Sequence, residues 1–279
     1  MGKEFTVNLC TPDFGKIATT KEGMFMAEDD YGESYYYRGQ ADNWVDFAGF
    51  YWKIIRINGD GTTRLIYSGT KTNNTGYGAQ IGASTYNASY DNEKYADYKI
   101  STVKNTVENW YKTNILDKGY NNKIADTGYC NDMTKYNSTY FSSYNRLYTN
   151  KAPTLKCPDK ASDLLSKSNN KLTYPVGLLT LDEASFAGGV YDNVENYKNK
   201  NYYLYTGELY WTMTPVKWSD SIVSVGLVNH RGSLVDGFTG YLNGSLVATR
   251  FGVRPVLSLK PSVNILSGDG TEANPYRVS

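Results

Sequence analysis

The chain of 279 residues is poor in side chains that hold metals, with three cysteines, one histidine and no Cys-x-x-Cys pair. Structural zinc sites take four cysteine or histidine ligands, so the sequence disfavours zinc. Long apolar runs are also missing, and a membrane-spanning helix needs about 18 such residues or more. We therefore expect no metal, no cofactor and no transmembrane helix.

Neither sign of charge is in excess: 29 lysines and arginines stand against 28 aspartates and glutamates, a formal net charge of +1. Basic and acidic residues are interleaved along the chain, without a basic stripe beside stacking aromatics. Such a balance gives no general attraction to nucleic acid or to anionic lipid. We expect no nucleic-acid partner.

Motifs for catalysis are scarce. The one histidine, His230, lies in turn-rich sequence, and no Gly-x-Ser-x-Gly segment occurs. Nucleophilic catalysis needs a base beside the nucleophile, which this sequence does not offer. Asp182 and Glu183 are adjacent carboxylates, but Glu183 has capping-box spacing from Thr180 and Asp182 suits the first turn of a helix. We expect no catalytic residue and no enzyme.

Tyrosine is abundant, with 27 residues against only nine phenylalanines. Its ring buries apolar area while its hydroxyl can stay in contact with water, and this combination suits interfaces. Aromatic residues also fill half-buried strand positions, and we expect most of these tyrosines there.

The sequence predicts an α+β fold. Aromatic and β-branched residues at 50–57 and 62–68 flank Asn58-Gly59-Asp60-Gly61, which is typical of a hairpin. Apolar residues recur at helical spacing over 101–116, where Ser101 or Thr102 can cap the start. A second, short helix is predicted after Thr180. No repeat or linker-like segment appears, so we expect one domain over residues 1–279.

Residues 119–170 form a loop-rich excursion, low in aliphatic residues and rich in Tyr, Asn, Ser and Lys. Cys130 and Cys157 lie within it, and we expect them to form a disulfide that leaves Cys10 free. Closing a loop of this length stabilises the fold by about 3 kcal/mol in the chain-entropy model.

Residues 210–259 are the candidate ligand-binding segment. Two apolar blocks, YWTM and VRPVL, bracket a glycine-rich middle that mixes aromatic, amide and charged residues without a fixed period. Short strands joined by glycine turns present such residues on a recognition surface. Trp218, Phe238 and Tyr241 are the expected apolar anchors. The full candidate set is Lys217, Trp218, Asp220, His230, Arg231, Asp236, Phe238, Thr239, Tyr241, Asn243 and Arg250.

The frame YWTMTP, GLVNHRGSL and GVRPVLSL resembles a family of bacterial surface proteins, and the stretches 35–69, 172–191 and 267–276 fit it too. These proteins carry a C-type-lectin-like domain of the formylglycine-generating-enzyme type, a fold also used by variable proteins of diversity-generating retroelements. The resemblance implies a mostly antiparallel sheet with two helices and long loops. It further implies an extracellular, cell-surface location, with the membrane reached only through an N-terminal anchor or pilin-like helix missing from this chain.

The resemblance also implies a function. We expect a non-enzymatic, adhesin-like protein that binds a protein or glycan ligand on a host cell, a phage or a neighbouring cell. A sharper hypothesis is that residues 210–259 are a variable region diversified by a retroelement. The alternative is a pilin-like or cell-wall structural subunit.

Two activities of related folds are not expected here. The formylglycine-generating enzymes use a cysteine pair in the C-terminal part of the domain, and no cysteine follows Cys157. Calcium-dependent lectins carry Glu-Pro-Asn or Gln-Pro-Asp followed by Trp-Asn-Asp, and none of these motifs occurs.

Overall fold

A computed structural model describes residues 6–88, 92–191, 202–219, 222–236 and 250–279, except for the side chains of residues 222 and 236. It is a mixed α+β structure, mostly sheet with few helices, which confirms the predicted class. The strands are β1 (Val7–Asn8), β2 (Lys21–Asp29), β3 (Gly32–Gly39), β4 (Trp44–Phe47), β5 (Phe50–Ile57), β6 (Thr63–Tyr67), β7 (Ala83–Thr85), β8 (Ile124–Ala125), β9 (Tyr129–Cys130), β10 (Leu164–Leu165), β11 (Tyr210–Ser219), β12 (Ile222–Val228), β13 (Leu234–Asp236), β14 (Arg250–Gly252), β15 (Val256–Leu259), β16 (Ile265–Ser267) and β17 (Tyr276–Val278).

The described residues include four α-helices, where the sequence predicted two. They are α1 (Thr102–Tyr111), α2 (Ser142–Tyr144), α3 (Lys160–Asp163) and α4 (Leu181–Phe186). Tighter or wider helical turns lie at Gly76–Ala79, Glu93–Ala96, Tyr98–Ile100, Lys112–Leu116, Tyr120–Lys123 and Asn145–Thr149. The two predicted helices correspond to α1 and α4. The additional pair, α2 and α3, are single turns within the loop-rich excursion.

Two sheets carry most of the fold. In the first, the strand order is β1-β2-β3-β5-β4-β17-β16, and β5 also pairs with β6, which continues through β15 to β8. The second sheet has the order β13-β12-β11-β14-β7. Apolar side chains from both sheets and from α1 form one large core that includes Trp52, Val107 and Trp211.

Local signals in the sequence place several elements correctly. Asn58 and Gly61 close the β5–β6 hairpin, and Gly61 has a φ of 80°, a value that glycine adopts without strain. The Ser101 side chain accepts a hydrogen bond from the Lys104 backbone N–H and so caps α1. Thr180 and Glu183 form the reciprocal capping box of α4.

The disulfide between Cys130 and Cys157 is confirmed, with Cα atoms 5.5 Å apart. It joins β9 to the loop before α3, while Cys10 remains an exposed free thiol. In the part of the chain that is described, no helix is long and apolar enough to cross a membrane.

Removing the disulfide is expected to destabilise the fold without unfolding it. The paired change Cys130→Ser and Cys157→Ser should lower the free energy of unfolding by about 3 kcal/mol, because the unfolded chain regains loop entropy. Urea denaturation measures this, with Cys10→Ser as the control that leaves stability unchanged. Thiol counting on the denatured wild type should find one reactive thiol; three would contradict the pairing.

Candidate functional site

Helix α4 is held against the first sheet by buried arginines. Glu183, whose side chain also closes the capping box, lies 2.5 Å from Arg64 Nε and 3.4 Å from Arg56 Nε. Arg38 Nη1 donates to the Ser185 carbonyl near the other end of the helix, at 3.0 Å. A helix of six residues is too short to be stable alone, so these contacts and its burial hold it in place.

Asp182, the neighbour of Glu183, extends this network into the excursion. Arg146 binds the Asp182 carboxylate through Nε at 2.7 Å and Nη2 at 2.9 Å, and Asp132 through Nη1 at 3.0 Å. Burial by itself lowers the pKa of Arg146, but the carboxylates of Asp182 and Asp132 outweigh it and hold that pKa above its ordinary value. Both adjacent carboxylates thus contact arginines, which agrees with their interpretation as structural.

The same excursion lies along strand β11. The Trp218 backbone N–H donates to the Thr139 carbonyl at 2.7 Å, and the Phe141 N–H donates to the Val216 carbonyl at 3.0 Å. Between these two hydrogen bonds, Tyr140 and Lys217 pair as an isolated antiparallel β-bridge. The loop-rich excursion and the candidate ligand-binding segment therefore meet at the far end of the second sheet.

Tyr140 of this bridge begins a stack of three tyrosines that continues along the helical segment after it. Tyr140 and Tyr144 have ring centroids 3.9 Å apart at 16°, and Tyr144 and Tyr148 are 4.9 Å apart at 22°. Lys217 Nζ lies 5.8 Å from the Tyr140 ring centroid, and Lys151 Nζ lies 5.3 Å from that of Tyr148. We call the three stacked tyrosines the tyrosine ladder; it has a lysine at each end.

Trp218 adds a fourth aromatic ring beside the three tyrosines of the ladder. Lys135 Nζ lies 4.0 Å from the Trp218 ring centroid and also pairs with Glu93 at 2.7 Å. Tyr136, next to Lys135, is 53% exposed. The ladder, Trp218 and Lys135 form an aromatic surface with lysines beside its rings.

The structure distributes the sequence-predicted site residues over two ends of the second sheet. Lys217 and Trp218 are half-buried near the end of β11, beside the ladder. His230 and Arg231 are exposed in the β12–β13 turn, beyond the pairing of Tyr210 with Val228. A strand rises about 3.3 Å per residue, so the two groups are about 20 Å apart.

Of the remaining predicted residues, Arg250 is described in full, Asp236 only by its backbone, and five not at all. Arg250 is exposed in β14 and donates through Nη2 to the Ala83 carbonyl of β7 at 2.6 Å, on the side of β11 away from β12. The backbone of Asp236 pairs with Gly226, but its side chain is outside the described atoms. Five predicted residues lie outside the described residues: Asp220, Phe238, Thr239, Tyr241 and Asn243.

The three tyrosines of the ladder, Lys135 and Lys151 were not predicted from the sequence, whereas Lys217 was. The signal was present: Tyr140, Tyr144 and Tyr148 recur every four residues, a helical spacing. The many Asn and Ser residues around them obscured it, because such residues are typical of loops. Metal binding was not expected, and no group of three or more potential metal ligands occurs among the residues that the structure describes.

Arg146 is expected to hold the ladder in place. Arg146→Met leaves Asp132 and Asp182 buried without their cation, so it should lower the free energy of unfolding by about 3 kcal/mol. The matched control is Arg277→Met, since the Arg277 side chain is 72% exposed beside Asp46 and its loss should cost less than about 1 kcal/mol. Equal, small effects of both variants in urea denaturation would contradict this role.

The chain matches no family model, no curated protein and no solved structure. The argument for function therefore depends on the geometry of the site.

Proposed function

We propose that this protein is a non-enzymatic binding protein whose site is the tyrosine ladder together with Trp218, Lys135, Lys151 and Lys217. The observation that carries the proposal is the aromatic stack with a lysine at each end, built where two distant segments of the chain meet. Tyrosine offers large contact area at low entropic cost, and aromatic anchors dominate the energy of interfaces.

The ligand that fits this surface best is a protein with an acidic patch. Within the ladder, ring faces are turned toward neighbouring tyrosines, so a ligand meets fewer open aromatic faces than a single exposed ring offers. A sugar ring stacks on an open aromatic face, whereas a protein surface uses ring edges and hydroxyl hydrogen bonds equally well. The lysines around the stack favour negative charge in the partner.

The rigidity of the ladder supports recognition. Backbone hydrogen bonds to β11 hold one end of the segment, and the Arg146 network holds it from beneath. A surface ordered before binding loses little conformational entropy when a partner docks.

The resemblance noted in the sequence adds two finer proposals. The domain has the C-type-lectin-like fold of the formylglycine-generating-enzyme type and works outside the cell, where a disulfide persists. Residues 210–259, which include Lys217 and Trp218, are a variable region of a diversity-generating retroelement. Finding no near-identical repeat beside a reverse transcriptase in the encoding genome would refute the second proposal.

A structural subunit is the competing function, and one observation favours it. Strand β16 is at the end of the first sheet's strand order, and Ile265 and Leu266 on it are 54% and 68% exposed. An exposed apolar edge strand is a template for pairing with another copy. Light scattering that shows assembly with rising concentration would support this alternative.

The binding test uses the labelled protein on arrays of purified proteins and of glycans. We expect protein hits, and we expect Tyr140→Ser with Tyr148→Ser to weaken a hit about 100-fold, as loss of central anchors does. The matched control changes Tyr77 and Tyr120, which are 76% and 38% exposed and lie outside the ladder, to Ser.

Each other outcome contradicts part of the proposal. Hits confined to glycans would refute the protein ligand but keep the site, provided the ladder variant loses them. A hit that survives in the ladder variant, with the fold intact by circular dichroism, would place the site elsewhere. An absence of hits together with self-assembly would support the structural subunit.

A further inference from the structure

A cavity of about 350 Å³ lies on the first sheet, and the tyrosine ladder does not line it. Aromatic side chains form much of its wall, with a lysine among them and charged groups around it. Its lining residues are Lys21, Gln40, Ala41, Asp42, Trp44, Lys53, Tyr202, Tyr203, Tyr205 and Glu272.

Lys53 is the reactive group in this cavity. It lies on β5 directly opposite Trp44 of β4, and its Nζ is 4.2 Å from the Trp44 ring centroid. Within the described ranges, Lys53 Nζ makes no hydrogen bond and no ion pair. Asp42, one of the two acids in the lining, is paired with Lys21, and Glu272 is the acid whose charge acts on Lys53.

The surroundings of Lys53 favour its neutral amine. Burial and, to a smaller extent, the nearby guanidinium of Arg254 lower the pKa of Lys53 to about 7, and Glu272 opposes the shift only in part. Arg254 is itself 1% exposed and pairs with no carboxylate among the described residues. Arg254 donates hydrogen bonds to the carbonyls of Tyr67 and Leu204 and lies 4.8 Å from the Tyr210 ring centroid.

We propose that Lys53 is a covalent binding site for small aldehydes with a flat aromatic body. The Nζ lone pair attacks the carbonyl carbon and a carbinolamine forms. That adduct then loses water, with the nitrogen proton passing to solvent or to the departing hydroxyl, to give an imine. Desolvation and a neighbouring cation are the conditions that make a lysine nucleophilic at neutral pH.

The cavity walls explain the choice of ligand. Trp44, Tyr203 and Tyr205 offer aromatic surface against which a planar ring packs beside the amine. The hydroxyls of the fully buried tyrosines cannot compete as nucleophiles, because burial raises the pKa of Tyr202 and Tyr203 well above the ordinary value. Of the two amines in the described lining, Lys21 is paired with Asp42, which leaves Lys53 as the candidate nucleophile.

The test is reductive labelling of the intact protein with 4-hydroxybenzaldehyde and sodium cyanoborohydride, with each lysine followed by peptide mass spectrometry. At pH 7 we expect Lys53 to be labelled at least about tenfold faster than the exposed Lys71, because about half of its amine is neutral. Its labelling rate should rise through a midpoint near pH 7, well below the pH at which an ordinary lysine side chain loses its proton.

Variants separate the site from general reactivity. Lys53→Arg should abolish the fast labelling at pH 7. The matched control Lys71→Arg should leave the labelling rate of Lys53 unchanged. Trp44→Leu should slow labelling of Lys53 while the protein stays folded by circular dichroism. Labelling of Lys53 in the wild type no faster than that of Lys71, or a midpoint near pH 10, would overturn the proposal. This test is independent of ligand binding at the ladder.

Discussion

The buried arginine–carboxylate network beneath α4 is the constraint on which the rest of the structure depends. Glu183 forms ion pairs with Arg64 and Arg56 of the first sheet, and Asp182 forms one with Arg146 of the excursion. Helix α4 thereby joins Arg64 of the first sheet to Arg146 of the excursion, 82 residues further along the sequence. Buried charges are tolerated only when they are paired and hydrogen-bonded, so this network admits few alternative arrangements.

The network also explains how a segment rich in Tyr, Asn and Ser becomes a rigid surface. Arg146 lies on the same helical segment as Tyr144 and Tyr148, and its pairing with Asp182 fixes where that segment crosses α4. The backbone bridge to β11 fixes the other end. The tyrosines can then stack before a ligand binds, so binding does not have to order this segment.

The sequence predicted the features that depend on residues close together in the chain. The β5–β6 hairpin, the Ser101 cap, the capping box of α4 and the class of the fold follow from turn residues and apolar spacing. The Cys130–Cys157 pair was predictable because both cysteines lie in the same loop-rich stretch, where a disulfide adds stability.

The site was less predictable because it depends on contacts between distant residues. Lys217 and Trp218 were identified, but their partners Tyr140 and Lys135 approach them only through long-range pairing that no local pattern encodes. The same limit applies to Lys53, whose reactivity depends on Arg254, about 200 residues further along the chain.

Hydrogen–deuterium exchange of residues 139–149 is the decisive measurement, because a preformed ladder needs this segment to be ordered before any ligand binds. We expect its hydrogen-bonded amides, such as that of Phe141, to exchange as slowly as those of the neighbouring strand β11. We also expect Arg146→Met to accelerate them while β5 stays protected. Fast exchange of this segment in the wild type, at the rate of an unstructured loop, would contradict a preformed ladder and with it the proposed site.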